Sequence, residues 1–414
     1  MTAVLQPAPP ATTTSPWRSA PFRYLLAGRT LIGLGSAITP VAMALAVLHL
    51  GGSATELGLV VAAYALVDVV TTLFAGVLGD RLPRTLLMRG AAMLACISQT
   101  VVALTLATDS ATIPMLAAMS AVNGALAAIS APASRAVVPQ TVPAPALPSA
   151  ISLLRLSQNT AMVLGFSLAG VLVALFGPGW AIAVDACTFL ASALCFTAMR
   201  LPATVGPAQP STSMLHDLTA GAREVFRHTW LWLLIAQALI YHLIYGGIQG
   251  VLGPVHITSL FGGAAWGWSL AALMTGFMAG GLITLRYRPS RMLLSGTAWL
   301  SLTACFPLAM ALPVPLWVIL AGAFLHGLGL EIFSVNWDLA IQQNIAPDKL
   351  ARVFAFDQVG SFVMRPLGLA LTGPIAARVG DRTWLLIAAT VMTAATVTAL
   401  APTSVRTLRR RTDT

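Results

Sequence analysis

Three ionisable residues stand where ionisable residues are expensive. Asp68, Glu331 and Arg365 each lie near the middle of a long apolar run. A charge at the centre of a bilayer costs roughly 2.5–3.5 kcal/mol on insertion scales, so such residues are kept chiefly where they act. A carboxylate in that setting can load and release a proton. The alternative is static: carboxylate and guanidinium merely neutralise one another so that both can insert. Arg29 falls about two turns inside the first run, where it can snorkel to the interface or face a substrate. Gln237, Tyr241, His242, Tyr245 and Gln249 recur at spacings of three to four, which puts them on one helical stripe. A polar stripe on an otherwise apolar helix predicts the lining of a wet cavity, and Asn123 and His326 are candidates of the same kind. His242 and His326 can titrate near neutral pH, or be buried with their nitrogens satisfied.

Other chemistry is missing from the sequence. No Walker loop or Gly-rich nucleotide fingerprint is present, so ATP is not the expected energy source. Cys96, Cys187, Cys195 and Cys305 lie inside apolar runs without metal-ligand spacing and are expected to pack as small hydrophobes. No histidine cluster suits zinc, and no Ser/His/Asp set has a soluble domain to hold it. The expectation is a protein with no metal and no cofactor, and not an enzyme.

The elements that hold these residues follow from composition. Of 414 residues 57% are hydrophobic and only 9% charged, with a mean hydropathy of +0.84. A soluble domain carries roughly a quarter charged residues, so the natural solvent here is a bilayer. The net charge of +10 is scattered between apolar runs, without the clustered basic face that nucleic acid needs. Runs of about 20 residues or more, long enough to span, cover 22–48, 55–79, 86–107, 112–135, 148–176, 179–199, 229–252, 263–286, 291–312, 315–342, 349–377 and 382–402. The expected fold is all-α and integral to the membrane, with twelve transmembrane helices in two six-helix bundles. The expected divisions are a disordered cytoplasmic tail over 1–20, a bundle over 21–199, a linker over 200–228, a bundle over 229–402 and a basic tail over 403–414. The tail shows no charged-then-apolar order, so no cleaved signal peptide is expected.

Orientation follows from the basic residues. With the N-terminus inside, only Arg378 and Arg382 fall in outer loops, and Arg29 and Arg365 lie within helices. All the others among the 23 Lys and Arg face inward. The positive-inside rule then puts both termini and the central linker in the cytoplasm. The halves also repeat at an offset of about 203 residues, the duplication from which many transporters are built. Asn123-Gly124 matches His326-Gly327, and Gly170 and Gly177 match Gly373 and Gly380. Pro83 with Arg84 and Leu86-Leu87 is similar to Pro289 with Arg291 and Leu293-Leu294.

One polar turn between runs carries a recognisable pattern. Gly76, Leu78, Asp80, Arg81 and Arg84 resemble the loop 2–3 signature of the major facilitator superfamily, Gly-x-Leu-x-Asp-Arg-x-Gly-Arg, with Pro83 in place of the second glycine. Ser130-Ala131-Pro132-Ala133 with Val137-Val138-Pro139 resembles the end of helix 4 in bacterial efflux members. Ala346 to Val353 resembles their loop 10–11, and Pro366-Leu367-Gly368 with Gly373-Pro374 their helix 11. The resemblance runs from Phe22 to Pro402 and is greatest to the macrolide- and siderophore-exporter-like branch of the drug:proton antiporters. The helix 5 antiporter motif is degraded to Gly165-Phe166 and Ala169-Gly170.

The resemblance implies a monomeric secondary transporter of the cell membrane that expels an amphipathic small molecule in exchange for protons. Proton symport of a specific metabolite is the alternative, and a non-transporting sensor or scaffold a more distant one. It implies that helices 2 and 11 meet at the bundle boundary and that helices 7 and 10 line the cavity. Arg365 would then pair alternately with Asp68 and Glu331, moving a proton as the halves rock. Asp80 would latch helix 2 to the start of helix 11, favoured by the positive end of that helix dipole, with Arg81 and Arg84 holding Asp80 or lipid phosphates. Asp338 and Asp357 are expected to pair with Arg352 or Lys349, and Asp185 to be a hydrogen-bonded structural carboxylate.

Overall fold

The computed structural model describes residues 15–201 and 214–410, without the side chains of 73–81, 214–218, 220, 347, 348 and 351. Among the described residues every regular element is helical. Twelve helices are long and apolar enough to cross a membrane. In chain order they are α1 (Ala20–His49), α2 (Ala54–Arg81), α3 (Arg84–Ala107), α4 (Ile113–Thr141), α5 (Leu147–Phe176), α6 (Pro178–Ala198), α7 (Thr229–Phe261) and α8 (Gly263–Arg286). After them come α9 (Met292–Ala311), α10 (Leu316–Asn344), α11 (Pro347–Phe362 continued by Arg365–Val379) and α12 (Asp381–Ala399).

The edges differ from expectation in three places. Pro16–Arg18 form a 3-10 turn, and the hydroxyl of Ser19 caps α1 by accepting from the backbone N–H of Phe22. The central linker contains a helix, Met214–Phe226, whose Phe226 ring meets that of Phe356 edge to face at 6.3 Å. The basic tail begins with a short helix, Thr403–Thr407.

Helix breaks in the second bundle follow from proline, which lacks the N–H that would bond four residues back. Pro307 leaves the Thr303 carbonyl free, and α9 runs as a 3-10 helix over Ser301–Ala304. Pro366 does the same to the Phe362 carbonyl, and α11 is interrupted immediately before Arg365. In α7 a π-turn spans Ile248–Leu252, just before Pro254.

The packing decides the shape. One apolar cluster holds α1 and α3–α6 together near the chain termini, with Phe22, Leu25, Met88, Val137 and Phe196 at its centre. A separate cluster around Leu231, Met292, Trp337 and Ile341 does so for α7 and α9–α12. At the opposite end one cluster is shared by both bundles, running from Ala37 and Val41 through Phe166 and Trp266 to Leu385. Among the described residues the large apolar core shared by the two bundles therefore lies at the end away from the termini.

The join repeats the internal symmetry. Gly170 of α5 lies against Ala264 of α8, and its repeat mate Gly373 of α11 lies against Thr55 of α2. A Cβ at Gly170 would come within 2.7 Å of the Ala264 Cα, and one at Gly373 within 2.5 Å of the Thr55 Cα. Small residues let helices approach closely where hydrocarbon offers no hydrophobic drive to associate.

Candidate transport site between the bundles

Asp68 sits half-buried on α2, one turn beyond Tyr64, at the boundary with α11. Arg365 faces it from the head of the second α11 segment, where the Pro366 break places it. The two act on each other electrostatically but form no ion pair within 4.0 Å. Arg365 also lies in electrostatic reach of Tyr64 on α2 and of Tyr241, His242 and Tyr245 on α7. One cation thus addresses both bundles.

Glu331 has a different partner from the one expected. The cation acting on it is Arg155 of α5, which also acts on Asp338. Asp338 follows Glu331 by seven residues, two turns along α10 and so on a similar face. Arg155 and Asp338 are exposed on their helices, and Glu331 is half-buried. No ion pair forms among the three at this separation. The expected pairing of Arg365 with Glu331 is not made in this state, in which the cation acting on Glu331 belongs to the first bundle. Lys349, expected beside Asp338 or Asp357, instead contacts Glu224 of the linker helix at 2.9 Å. Asp357 accepts from Trp337 Nε1 at 3.1 Å and from the Ser361 hydroxyl at 3.0 Å, tying α11 to α10.

The α7 stripe is drier than its pattern suggested. Gln237, Tyr241 and Tyr245 are 6%, 6% and 5% exposed, while His242 and Gln249 are half-buried. The stripe packs against α10 and α11. Tyr245 stacks on His326 with centroids 4.1 Å apart, and His242 lies 4.0 Å from the Phe362 ring. His326 is fully buried with both nitrogens engaged. Its Nδ1–H must donate to the Thr303 carbonyl at 2.7 Å, because a carbonyl only accepts. Its Nε2 then accepts from the Tyr241 hydroxyl at 2.6 Å. Pro307 created that free carbonyl, so one proline on α9 fixes the tautomer of a histidine on α10. The Tyr245 hydroxyl and Gln237 Oε1 are buried without a hydrogen-bond partner.

In the first bundle, Arg29 donates to Gln158 Oε1 at 2.9 Å and so joins α1 to α5. Asn123 donates to the Ser98 hydroxyl of α3 at 3.1 Å and to the Met119 carbonyl at 2.9 Å, and is spent on packing within its own bundle. Asp185 is fully buried and accepts from Gln99 Nε2 at 2.6 Å, from the Thr188 hydroxyl at 3.3 Å and from the Thr39 hydroxyl. It ties α1, α3 and α6 together. Gly76, Asp80 and Arg81 of the loop 2–3 signature have side chains outside the described residues. Arg84 donates to the Ala136 carbonyl at 2.9 Å, bracing α3 on α4.

Two further residues belong to the site without a sequence pattern that marks them. Tyr64 falls in the electrostatic reach of Asp68, Arg365 and Asp185. Its signal was its place one turn before Asp68. Arg155 reads as one more inward-facing arginine, although it stands two turns into its run.

Known proteins give this arrangement a context. The family model described as Major Facilitator Superfamily matches residues 25–369. The multidrug efflux pump Tap of Mycolicibacterium fortuitum is 27% identical over 380 residues, which cover 88% of this chain and 91% of that protein. Macrolide efflux protein A of Streptococcus pyogenes is 22% identical over 377 residues, covering 90% and 93%. The crystal structure of a mutant of the nucleoside transporter NupG superposes with a TM-score of 0.74 at 12% identity, covering 92% of this chain and 99% of that one. That likeness is one of fold.

Proposed function

The chain belongs to the major facilitator superfamily, and from that premise we propose that it exports an amphipathic small molecule in exchange for protons. It is a multi-pass protein of the plasma membrane that handles small molecules across a lipid bilayer. The names of its efflux relatives support export, and the arginine distribution supports cytoplasmic termini.

One observation carries the coupling: Asp68 and Arg365 face each other across the bundle boundary without touching. An ion pair between them requires Asp68 to be ionised. Forming and breaking that pair as the bundles rock therefore releases and reloads one proton. Glu331 is the second candidate proton carrier. The energy source is the proton gradient, with no cofactor, no catalytic step and a single chain as the working unit.

The test is uptake of a macrolide into inverted proteoliposomes under an imposed pH gradient. Asp68→Asn should abolish gradient-driven movement while leaving downhill exchange. Full gradient-driven transport in both Asp68→Asn and Glu331→Gln would overturn the coupling. Substrate and proton moving in the same direction would mark a symporter instead.

A further inference from the structure

The second bundle alone builds another concave feature. An open groove of about 550 Å3 runs from the α8–α9 turn along α9. Leu294, Ala298, Trp299 and Leu302 line its length, and Tyr287, Ser290, Arg291 and Ser295 line its mouth. The Tyr287 hydroxyl bonds the Ser295 hydroxyl at 2.9 Å, and the Tyr287 ring meets Trp299 edge to face at 6.4 Å. One wall is thereby fixed. From Arg291 to Leu302 the groove climbs roughly 16 Å of helix, about the depth of one leaflet's hydrocarbon.

The mouth is strongly basic. Arg286, Arg288 and Arg291 are all exposed on the turn. The backbone N–H of Arg410 donates to the Ser290 carbonyl at 2.8 Å, which fastens the segment carrying Arg406, Arg409 and Arg410 against the same turn. No Asp or Glu occurs between Gly263 and Leu330, or between Arg382 and Arg410. Among the described residues none of the six arginines has a carboxylate within 4.0 Å. Such a concentration of guanidinium groups calls for anions from outside the chain, and Arg presents a fork that matches phosphate oxygens.

We propose that this groove holds an anionic phospholipid of the leaflet on the side of the chain termini. Its phosphate lies on the arginines and an acyl chain runs along Leu294, Ala298 and Leu302. Tyr287 and Trp299 sit at the level of the headgroup boundary, where such rings are favoured. A zwitterionic lipid offers the same phosphate, but its ammonium is repelled by the cluster. Each basic residue at a membrane surface favours anionic lipid by about 1 kcal/mol, or about fivefold in occupancy. The site is independent of the direction of transport.

Trp299 supplies the readout. The full chain is reconstituted in bilayers containing phosphatidylglycerol or phosphatidylcholine brominated on the acyl chains, which quench nearby tryptophan. The Trp299 component is the difference between the wild type and Trp299→Phe. It should be half-quenched at a mole fraction at least about fivefold lower for brominated phosphatidylglycerol. Arg286→Gln/Arg288→Gln/Arg291→Gln should lose that preference, and Arg288→Gln alone should weaken it should the triple variant fail to fold. Equal quenching by the two lipids in wild-type protein overturns the proposal. So does loss of the preference on adding inorganic phosphate at constant ionic strength, which would mark a site for a soluble anion.

Discussion

Arg155 on α5 acts electrostatically on Glu331 of α10, in the other bundle, with no ion pair within 4.0 Å between them. Asp338 lies within reach of the same guanidinium. Among the described residues the larger apolar core shared by the bundles lies at the opposite end, so rocking about it that brings the termini ends of α5 and α10 together shortens these distances. An attraction unmade in one state and made in the other favours closure. Arg155→Glu should therefore slow turnover, and Arg155→Glu with Glu331→Arg should recover part of the loss. Coupling between sites is typically 1–3 kcal/mol, roughly 5–150-fold. Transport rates of the two single variants and the double variant measure it, and strictly additive losses would remove Arg155 from the gate.

Gly373 and Gly170 should control the opposite closure. A side chain at either position meets backbone of the other bundle, Thr55 or Ala264, which cannot rotate away. Gly373→Val should force the join apart and shift the population toward the state open at that end. Two spin labels placed across the join on α2 and α11 would report it as a longer distance. An unchanged distance distribution in folded Gly373→Val would show that the join has slack.

Tyr241 should matter through His326. Tyr241→Phe removes the donor to a fully buried Nε2 and leaves that nitrogen without a partner. Stranding a buried polar group costs about 1–3 kcal/mol. The variant should melt lower, and a further His326→Leu change should recover part of the loss, since replacing both partners by apolar groups can be nearly neutral. Thermal unfolding in detergent compares the three. Equal melting of wild type and Tyr241→Phe would mean the bond carries no stability.

Much of this was legible in the residues, and the failures share one cause. Spans, the two halves and the Gly170/Gly373 correspondence follow from hydropathy and spacing, which are local properties. Asp68 and Arg365 are conspicuous because charge inside apolar runs is rare. For Asn123 and Tyr241 the sequence leaves two uses open, because a polar residue on a membrane helix can wet a cavity or bond a neighbouring helix. Only the neighbour's identity, Ser98 or His326, decides between them. Arg155 was overlooked because its partners belong to the other bundle, and nothing along α5 points to α10. The free carbonyl at Thr303 could have been found: Pro307 lies four residues on, and a buried histidine is a natural donor to it.

Glu224 and Lys349 should make the docking of the linker helix depend on pH. The Lys349 ammonium, 2.9 Å away, holds the Glu224 carboxyl below the usual carboxylate range through a hydrogen bond, and Arg227 at 3.2 Å adds to it. A depressed folded value means the contact stabilises wherever the carboxylate is ionised. Its contribution is fully present above the ordinary Glu range and fades as pH falls through the depressed value. Amide exchange of Met214–Phe226, corrected for intrinsic rates, should therefore show steady protection at neutral pH and loss only in acid. Lys349→Met should reduce the neutral-pH protection by about 1 kcal/mol or less, as befits a partly exposed pair. It should also move the loss to higher pH, toward the ordinary Glu value. Identical exchange in the two proteins at every pH would leave the docking to apolar contacts such as Val225 and the Phe226–Phe356 pair.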